Sequence, residues 1–83
     1  MDLKLIYYYN NSCGACRDYL STVDKLSTAF KITLEKQNID VIKPQIKLDG
    51  IPTLILTNNG VEIWRSLGNQ PFQQVYKDLK DYV

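Results

Sequence analysis

The sequence predicts an α/β fold: one mixed four-stranded sheet flanked by helices, built as a βαβ unit followed by a ββα unit. Three observations carry this expectation. Short runs rich in strand formers stand at residues 3–9, 53–57 and 61–67. Apolar residues return every three or four positions between the first and second strand-like runs, and again after Pro71. The triplet Asn58-Asn59-Gly60 joins the last two strands as a hairpin, because Asn and Gly tolerate the positive φ that tight hairpins need.

Taken in order, residues 3–9 (Leu-Lys-Leu-Ile-Tyr-Tyr-Tyr) form a run too short for a helix of ordinary length and read as a buried strand. Asn10, Asn11 and Ser12 end it as a loop, and any of the three has the side chain to cap a following helix. From Cys13 the apolar face of that helix runs through Cys16, Leu20, Val23, Leu26 and Phe30. Residues 32–39 alternate weakly and read as the second strand. Residues 40–50 are ambiguous: Pro44 has the conformation to open a short helix, which Gly50 would close. Pro71 starts the last helix, with Phe72, Val75, Tyr76, Leu79 and Tyr82 or Val83 on its inner face. Parallel strands joined through a helix require a right-handed crossover, and this makes the first half a βαβ unit.

Length and charge narrow the function. Eighty-three residues suffice for one domain, expected to span 1–83. Ten basic and nine acidic side chains leave a formal charge of +1 and no basic stripe, so nucleic acid is not an expected partner. No run approaches the roughly 20 apolar residues of a membrane span. The start, Met1-Asp2-Leu3-Lys4, lacks the basic and apolar regions of a secretory signal, so the expected location is the cytoplasm.

The chemistry points to Cys13-Gly14-Ala15-Cys16. Thiols are kept reduced in the cytosol, and a Cys-x-x-Cys pair beside a βαβ unit reads there as a redox pair. Thiolate, not thiol, attacks a disulfide. Cys13 falls at the start of the helix, where unpaired N–H groups and the helix dipole favour its anion. Cys16, one turn on, faces back and can resolve a mixed disulfide. Gly14 and Ala15 are small enough for a partner peptide to approach. Other readings of the pair weaken on inspection. A static disulfide across so short a loop constrains the unfolded chain little. A closed zinc site needs four ligands, and the chain has two Cys and no His. The three consecutive tyrosines do not form one patch, because alternation turns Tyr8 away from Tyr7 and Tyr9. Core filling is their expected role, and Trp64 is expected on a sheet face.

Beyond the Cys pair, Ile51-Pro52-Thr53-Leu54-Ile55-Leu56 resembles the segment around the cis-proline of the thioredoxin family. Asn58-Asn59-Gly60-Val61-Glu62 is similar to that family's hairpin, Leu67-Gly68-Asn69 to its glycine-bearing loop, and Asn38-Ile39-Asp40 to the end of its second core strand. The resemblance covers nearly the whole chain in the right order. It implies a thioredoxin-like fold and a thiol–disulfide oxidoreductase with Cys13 and Cys16 as catalytic residues. It also implies a cis Ile51–Pro52 bond and a substrate-binding surface at Ile51, Pro52, Gly68 and Ala15. No cofactor beyond the Cys13–Cys16 disulfide and no metal is implied. The implied partners are disulfide-containing proteins and, as electron donor, a thioredoxin reductase-type flavoprotein, with the chain acting as a monomer.

The chain departs from the family pattern in places. The family's buried acid, six positions before the first Cys, is Tyr7 here, whereas Lys36 matches the family's nearby lysine. Ser12 stands where thioredoxins often carry Trp, and Ala15 replaces their usual proline. The connection from Asn38 to Pro52 is a few residues shorter than in ordinary thioredoxins, and a leading strand and helix before Leu3 are not expected. This trimmed outline also resembles glutaredoxins, so glutathione is the alternative donor. Against it, Leu67-Gly68-Asn69 lacks the paired glycines and acid that hold glutathione, although Arg17 or Lys36 has the charge to bind a carboxylate. Two further readings are a non-catalytic module that holds a partner, such as a polymerase or phage protein, on the Ile51, Pro52 and Gly68 surface, and a metal or cluster site shared by two chains.

Overall fold

A computed structural model describes residues 2–83. The elements follow the order β1 (Leu3–Tyr9), α1 (Gly14–Phe30), β2 (Thr33–Asn38), β3 (Thr53–Asn58), β4 (Val61–Leu67) and α2 (Phe72–Lys80). They form one sheet in the order β2-β1-β3-β4. β1 and β2 are parallel, while β3 is antiparallel to both β1 and β4. The expected mixed four-stranded sheet is therefore present.

Register decides what each face carries. The rows Leu34-Leu5-Leu56-Trp64 and Lys36-Tyr7-Leu54-Ser66 lie on one face. Leu5, Tyr7, Leu54 and Leu56 pack there with Cys16, Tyr19, Val23 and Leu26 of α1 and Val75 and Leu79 of α2, forming the core. Both helices cover this face, and Phe30 of α1 stacks on Tyr76 of α2 with ring centroids 4.8 Å apart. The opposite face carries Glu35-Ile6-Ile55-Arg65 and Gln37-Tyr8-Thr53-Leu67. The connection 39–52 runs over it, tied by an Arg65 Nη1–H donation to the Lys47 carbonyl at 3.0 Å.

Several local expectations are corrected. None of Asn10, Asn11 and Ser12 caps α1. The Asn10 side-chain oxygen accepts from the Ser12 N–H, which tightens the loop one step too early, and the cap falls on Cys13. Tyr19 is a fully buried core residue, whereas Leu20 is only half-buried, because the inner stripe runs 16, 19, 23, 26. β2 starts at Thr33, since Ile32 still closes the helix end: its N–H donates to Ser27 and that of Lys31, at φ 55°, donates to Thr28. Pro44 opens no helix. Val41 and Ile42 both donate to the Asn38 carbonyl in a tight turn, and Ile42 and Ile46 are exposed, so a helix here would have no face to bury. α2 ends at Lys80 and buries Val75 and Leu79, with Phe72 half-buried, while Tyr76, Tyr82 and Val83 stay exposed. The hairpin forms as expected, with Asn59 at φ 53° and Gly60 at φ 84°.

Candidate redox site

Topology gathers the site at one end of the sheet. β1 ends at Tyr9 beside Asn38, the end of parallel β2. Antiparallel β3 begins at Thr53, paired with Tyr8 on one side and with Leu67, the end of β4, on the other. The residues just outside these termini are therefore neighbours: the 10–13 loop, Pro52 and Gly68. The Gly68 N–H donates to the Pro52 carbonyl at 2.8 Å, which joins the two substrate-surface candidates directly.

Cys13 and Cys16 are joined in a disulfide, with Cα atoms 5.2 Å apart. Cys13 is the N-cap of α1, in extended conformation, and its Sγ accepts from the Cys16 N–H at 3.0 Å. A helix start has N–H groups without carbonyl partners, so this sulfur faces the positive end of a 17-residue helix. Exposure separates the two sulfurs: Cys16 is 2% exposed, while Cys13 is only partly covered. Ala15 is exposed beside them. The Ile51–Pro52 bond is cis, Pro52 is buried and Ile51 half-buried. The Thr53 hydroxyl donates to the Gly50 carbonyl at 2.6 Å and holds this turn. Gly68 sits at φ 92°, a conformation that side chains with a Cβ rarely adopt.

The other flank of the pair is built from side chains. The Tyr7 hydroxyl donates to the Cys16 carbonyl. Burial, reinforced by Tyr9 and Asp24, pushes the Tyr7 pKa up to about 12. Tyr19, its ring 6.2 Å from that of Tyr7, is also pushed up to about 12; burial dominates, the Ser66 hydroxyl offsets part of it, and Tyr7 adds to it. No hydrogen bond of good geometry reaches the Tyr19 hydroxyl among the described residues. Tyr7 and Tyr9 stack at 5.3 Å, on the same side of β1 as the alternation requires. With Leu20, Arg17 and Lys36 they enclose a cavity of about 190 Å³ that touches both cysteines. The Lys36 Nζ lies 3.3 Å from the Asp24 carboxylate. Sequence reasoning singled out Arg17 and Lys36 as carboxylate binders but missed this cavity. Its only advance signal was the pairing of Tyr7 and Tyr9 on one side of a strand that ends beside Cys13.

The sequence model of the thioredoxin family matches residues 1–81. The chain belongs to the thioredoxin family. It is 30% identical over 84 residues to the thioredoxin of Alicyclobacillus acidocaldarius, a match spanning 95% of this chain and 80% of that protein. Thioredoxin 1 of Chlorobaculum tepidum is 29% identical over 79 residues, 89% of this chain and 78% of the relative. The fold matches thioredoxin 1 of Thermosipho africanus with a TM-score of 0.85 at 23% identity, covering 95% of this chain and 92% of that one. It matches a Halobacterium salinarum thioredoxin mutant with a TM-score of 0.86, also at 23% identity, covering 98% and 74%. With its Cys-x-x-Cys pair, this thioredoxin-family chain is a thiol–disulfide oxidoreductase. The thioredoxin relatives favour that assignment over the glutaredoxin alternative. No group of three or more His, Cys, Asp or Glu side chains is placed to hold a metal among the described residues. Among the described residues, no helix is long and apolar enough to cross a membrane.

Proposed function

We propose that this chain reduces protein disulfides through a dithiol–disulfide cycle, with Cys13 as nucleophile and Cys16 as resolving thiol. The observation that carries the reading is the asymmetry of the pair. Cys13 is accessible, caps the helix and receives the Cys16 N–H, so its thiolate is stabilised where a substrate can reach it. Cys16 is buried beneath it and meets only a sulfur already bonded to Cys13.

In the forward reaction the Cys13 thiolate attacks one sulfur of the substrate disulfide. A Cys13–substrate disulfide forms, and the other substrate sulfur leaves as thiolate. Cys16 then loses its proton and attacks the Cys13 sulfur. The Cys13–Cys16 bond forms, the second substrate thiolate departs, and two electrons have passed to the substrate. Ile51, Pro52, Gly68 and Ala15 supply the surface along which the substrate backbone lies. The backbone N–H and C=O of Ile51, which have no hydrogen-bond partner among the described residues, and the absence of a Cβ at Gly68 support that role. A thioredoxin reductase-type flavoprotein returns the two electrons, in preference to glutathione. The chain acts as a monomer in the cytoplasm, where thiols are kept reduced.

Insulin reduction with dithiothreitol as donor tests the activity, and catalysed precipitation is expected. A folded protein that leaves the rate at the uncatalysed value would be a binding module instead. Two coupled assays of NADPH oxidation test the donor, one with thioredoxin reductase and one with glutathione plus its reductase. Faster turnover with the flavoprotein is expected; faster turnover with glutathione would reverse the assignment.

A further inference from the structure

The cavity beside the disulfide lies on the opposite flank from the Pro52 turn. The sheet order places β2 and Lys36 on one side of β1, and β3, β4 and Gly68 on the other. Cys13 stands between them. A polypeptide laid along Ile51 and Gly68 with its cysteine at Cys13 therefore has this cavity within reach of the residues next to that cysteine.

The lining has a definite chemistry. Its floor is the stacked pair Tyr7 and Tyr9, and Leu20 adds an aliphatic wall. A cavity of roughly 150 Å³ accepts benzene, so one of about 190 Å³ accepts a leucine or phenylalanine side chain. The rim carries two cations, Arg17 and Lys36, and no carboxylate lines it. Lys36 is shared with Asp24. Arg17 is exposed and has neither an ion-pair nor a side-chain hydrogen-bond partner among the described residues. The amide oxygens of Asn10 and Asn11 accept from the Ser12 N–H and from Asn38, which leaves the amide N–H groups of Asn10 and Asn11 to donate outward. The site is thus apolar at the bottom and rich in donors and positive charge at the mouth.

We propose that this cavity is a second substrate subsite, which takes a large apolar side chain followed by an acidic residue, both flanking the cysteine under attack. The inference rests on the disulfide-reductase reading. The backbone flank accepts any extended segment, because it recognises main chain. The cavity flank selects among substrates, because it recognises side chains.

Disulfide-bridged peptides with a fluorescence readout test this. They differ only in the two residues beside the cysteine: Leu-Asp, Leu-Lys or Gly-Asp. Leu-Asp is expected to exceed Gly-Asp in kcat/KM by about tenfold, the usual discrimination of an apolar pocket, and Leu-Lys by about threefold through the exposed ion pair. Arg17→Glu should reverse the preference between Asp and Lys. Asn11→Trp, which plugs the mouth from an exposed loop position, should remove the preference for Leu. Equal kcat/KM for all three peptides overturns the subsite and leaves the reductase reading intact. Preferences that survive in both variants overturn it as well, since the flanking residues are then read elsewhere. Reduction of none of the peptides by the folded protein overturns the reductase reading and the subsite together.

Discussion

The two flanks of the disulfide are built on different principles. On the β3–β4 side the parts are main chain: the cis Ile51–Pro52 bond, the Gly68 N–H to Pro52 carbonyl bond, and a glycine at φ 92°. On the β1–β2 side the parts are side chains: stacked Tyr7 and Tyr9, Leu20, Arg17 and the Lys36–Asp24 pair. A main-chain device works only with particular residue types, Pro and Gly, so it leaves a readable motif. A side-chain device works with many residue combinations, so it varies freely and leaves none. Under the proposed function the first flank serves what every substrate has in common, and the second carries Tyr7 where the family has a buried acid.

Removing the sulfur between the flanks has the largest effect. Cys13→Ser should lower insulin reduction by at least about a thousandfold, since the remaining thiol, Cys16, is buried out of reach of a protein disulfide. Cys16→Ser should accumulate a mixed disulfide through Cys13, seen as a mass adduct on treatment with a disulfide substrate. In the reduced protein, iodoacetamide should label Cys13 before Cys16. Preferential labelling of Cys16 would exchange their roles.

Alkaline pH probes the buried phenols next: Tyr7 lines the cavity and Tyr19 packs against it. The folded-state pKa values of Tyr7 and Tyr19, about 12, lie above the ordinary value of 10.0. Folding thus favours the neutral phenol. The stabilisation is complete below pH 10 and is lost as pH rises from about 10 through 12. Urea midpoints should fall over that window, and less steeply in a Tyr7→Phe/Tyr19→Phe protein, which lacks both groups. An identical pH profile for the two proteins would show that the phenols do not govern the loss.

On the main-chain flank, Gly68→Ala puts a Cβ at a positive φ and should cost about 1–2 kcal/mol of stability. The space itself is open, with the Gln70 side chain at 3.6 Å the nearest contact. The substitution should therefore raise KM for protein substrates more than it lowers kcat. A fall in kcat alone would move Gly68 from substrate docking to the chemistry.

The smallest effect belongs to Tyr7→Phe. It removes the donor to the Cys16 carbonyl and should cost about 1 kcal/mol in urea unfolding. That carbonyl lies in the first turn of α1, so the loosened turn should slow the resolving attack of Cys16 while the initial attack of Cys13 keeps its rate. Single-turnover kinetics resolve the two steps.

The sheet, the helical crossover between the parallel strands β1 and β2, the hairpin and the Cys pair were legible in the sequence. Each of these is a local signal: a run of strand formers, a period of three to four, Asn-Gly at a turn, two cysteines one helical turn apart. Pro52 and Gly68 were legible only through the resemblance of Ile51-Pro52-Thr53 and Leu67-Gly68-Asn69 to the thioredoxin family, because alone each reads as an ordinary strand-edge proline and a simple turn. What sequence reading missed is what depends on packing. Tyr19 and Leu20 both fit a helical stripe, and only packing onto the sheet, with Tyr19 against Tyr7 of β1, selects Tyr19 for the core. Asn10 has the chemistry of a helix cap, yet the turn it makes with Ser12 hands the cap to Cys13. Pro44 has the geometry to open a helix, but the connection turns at Asn38, whose carbonyl accepts from Val41 and Ile42, and leaves Ile42 and Ile46 exposed. The cavity beside Cys13 is the clearest case. It is lined from β1, α1, β2 and the 10–13 loop at once, and a space enclosed by four segments exists only after all four have been packed together.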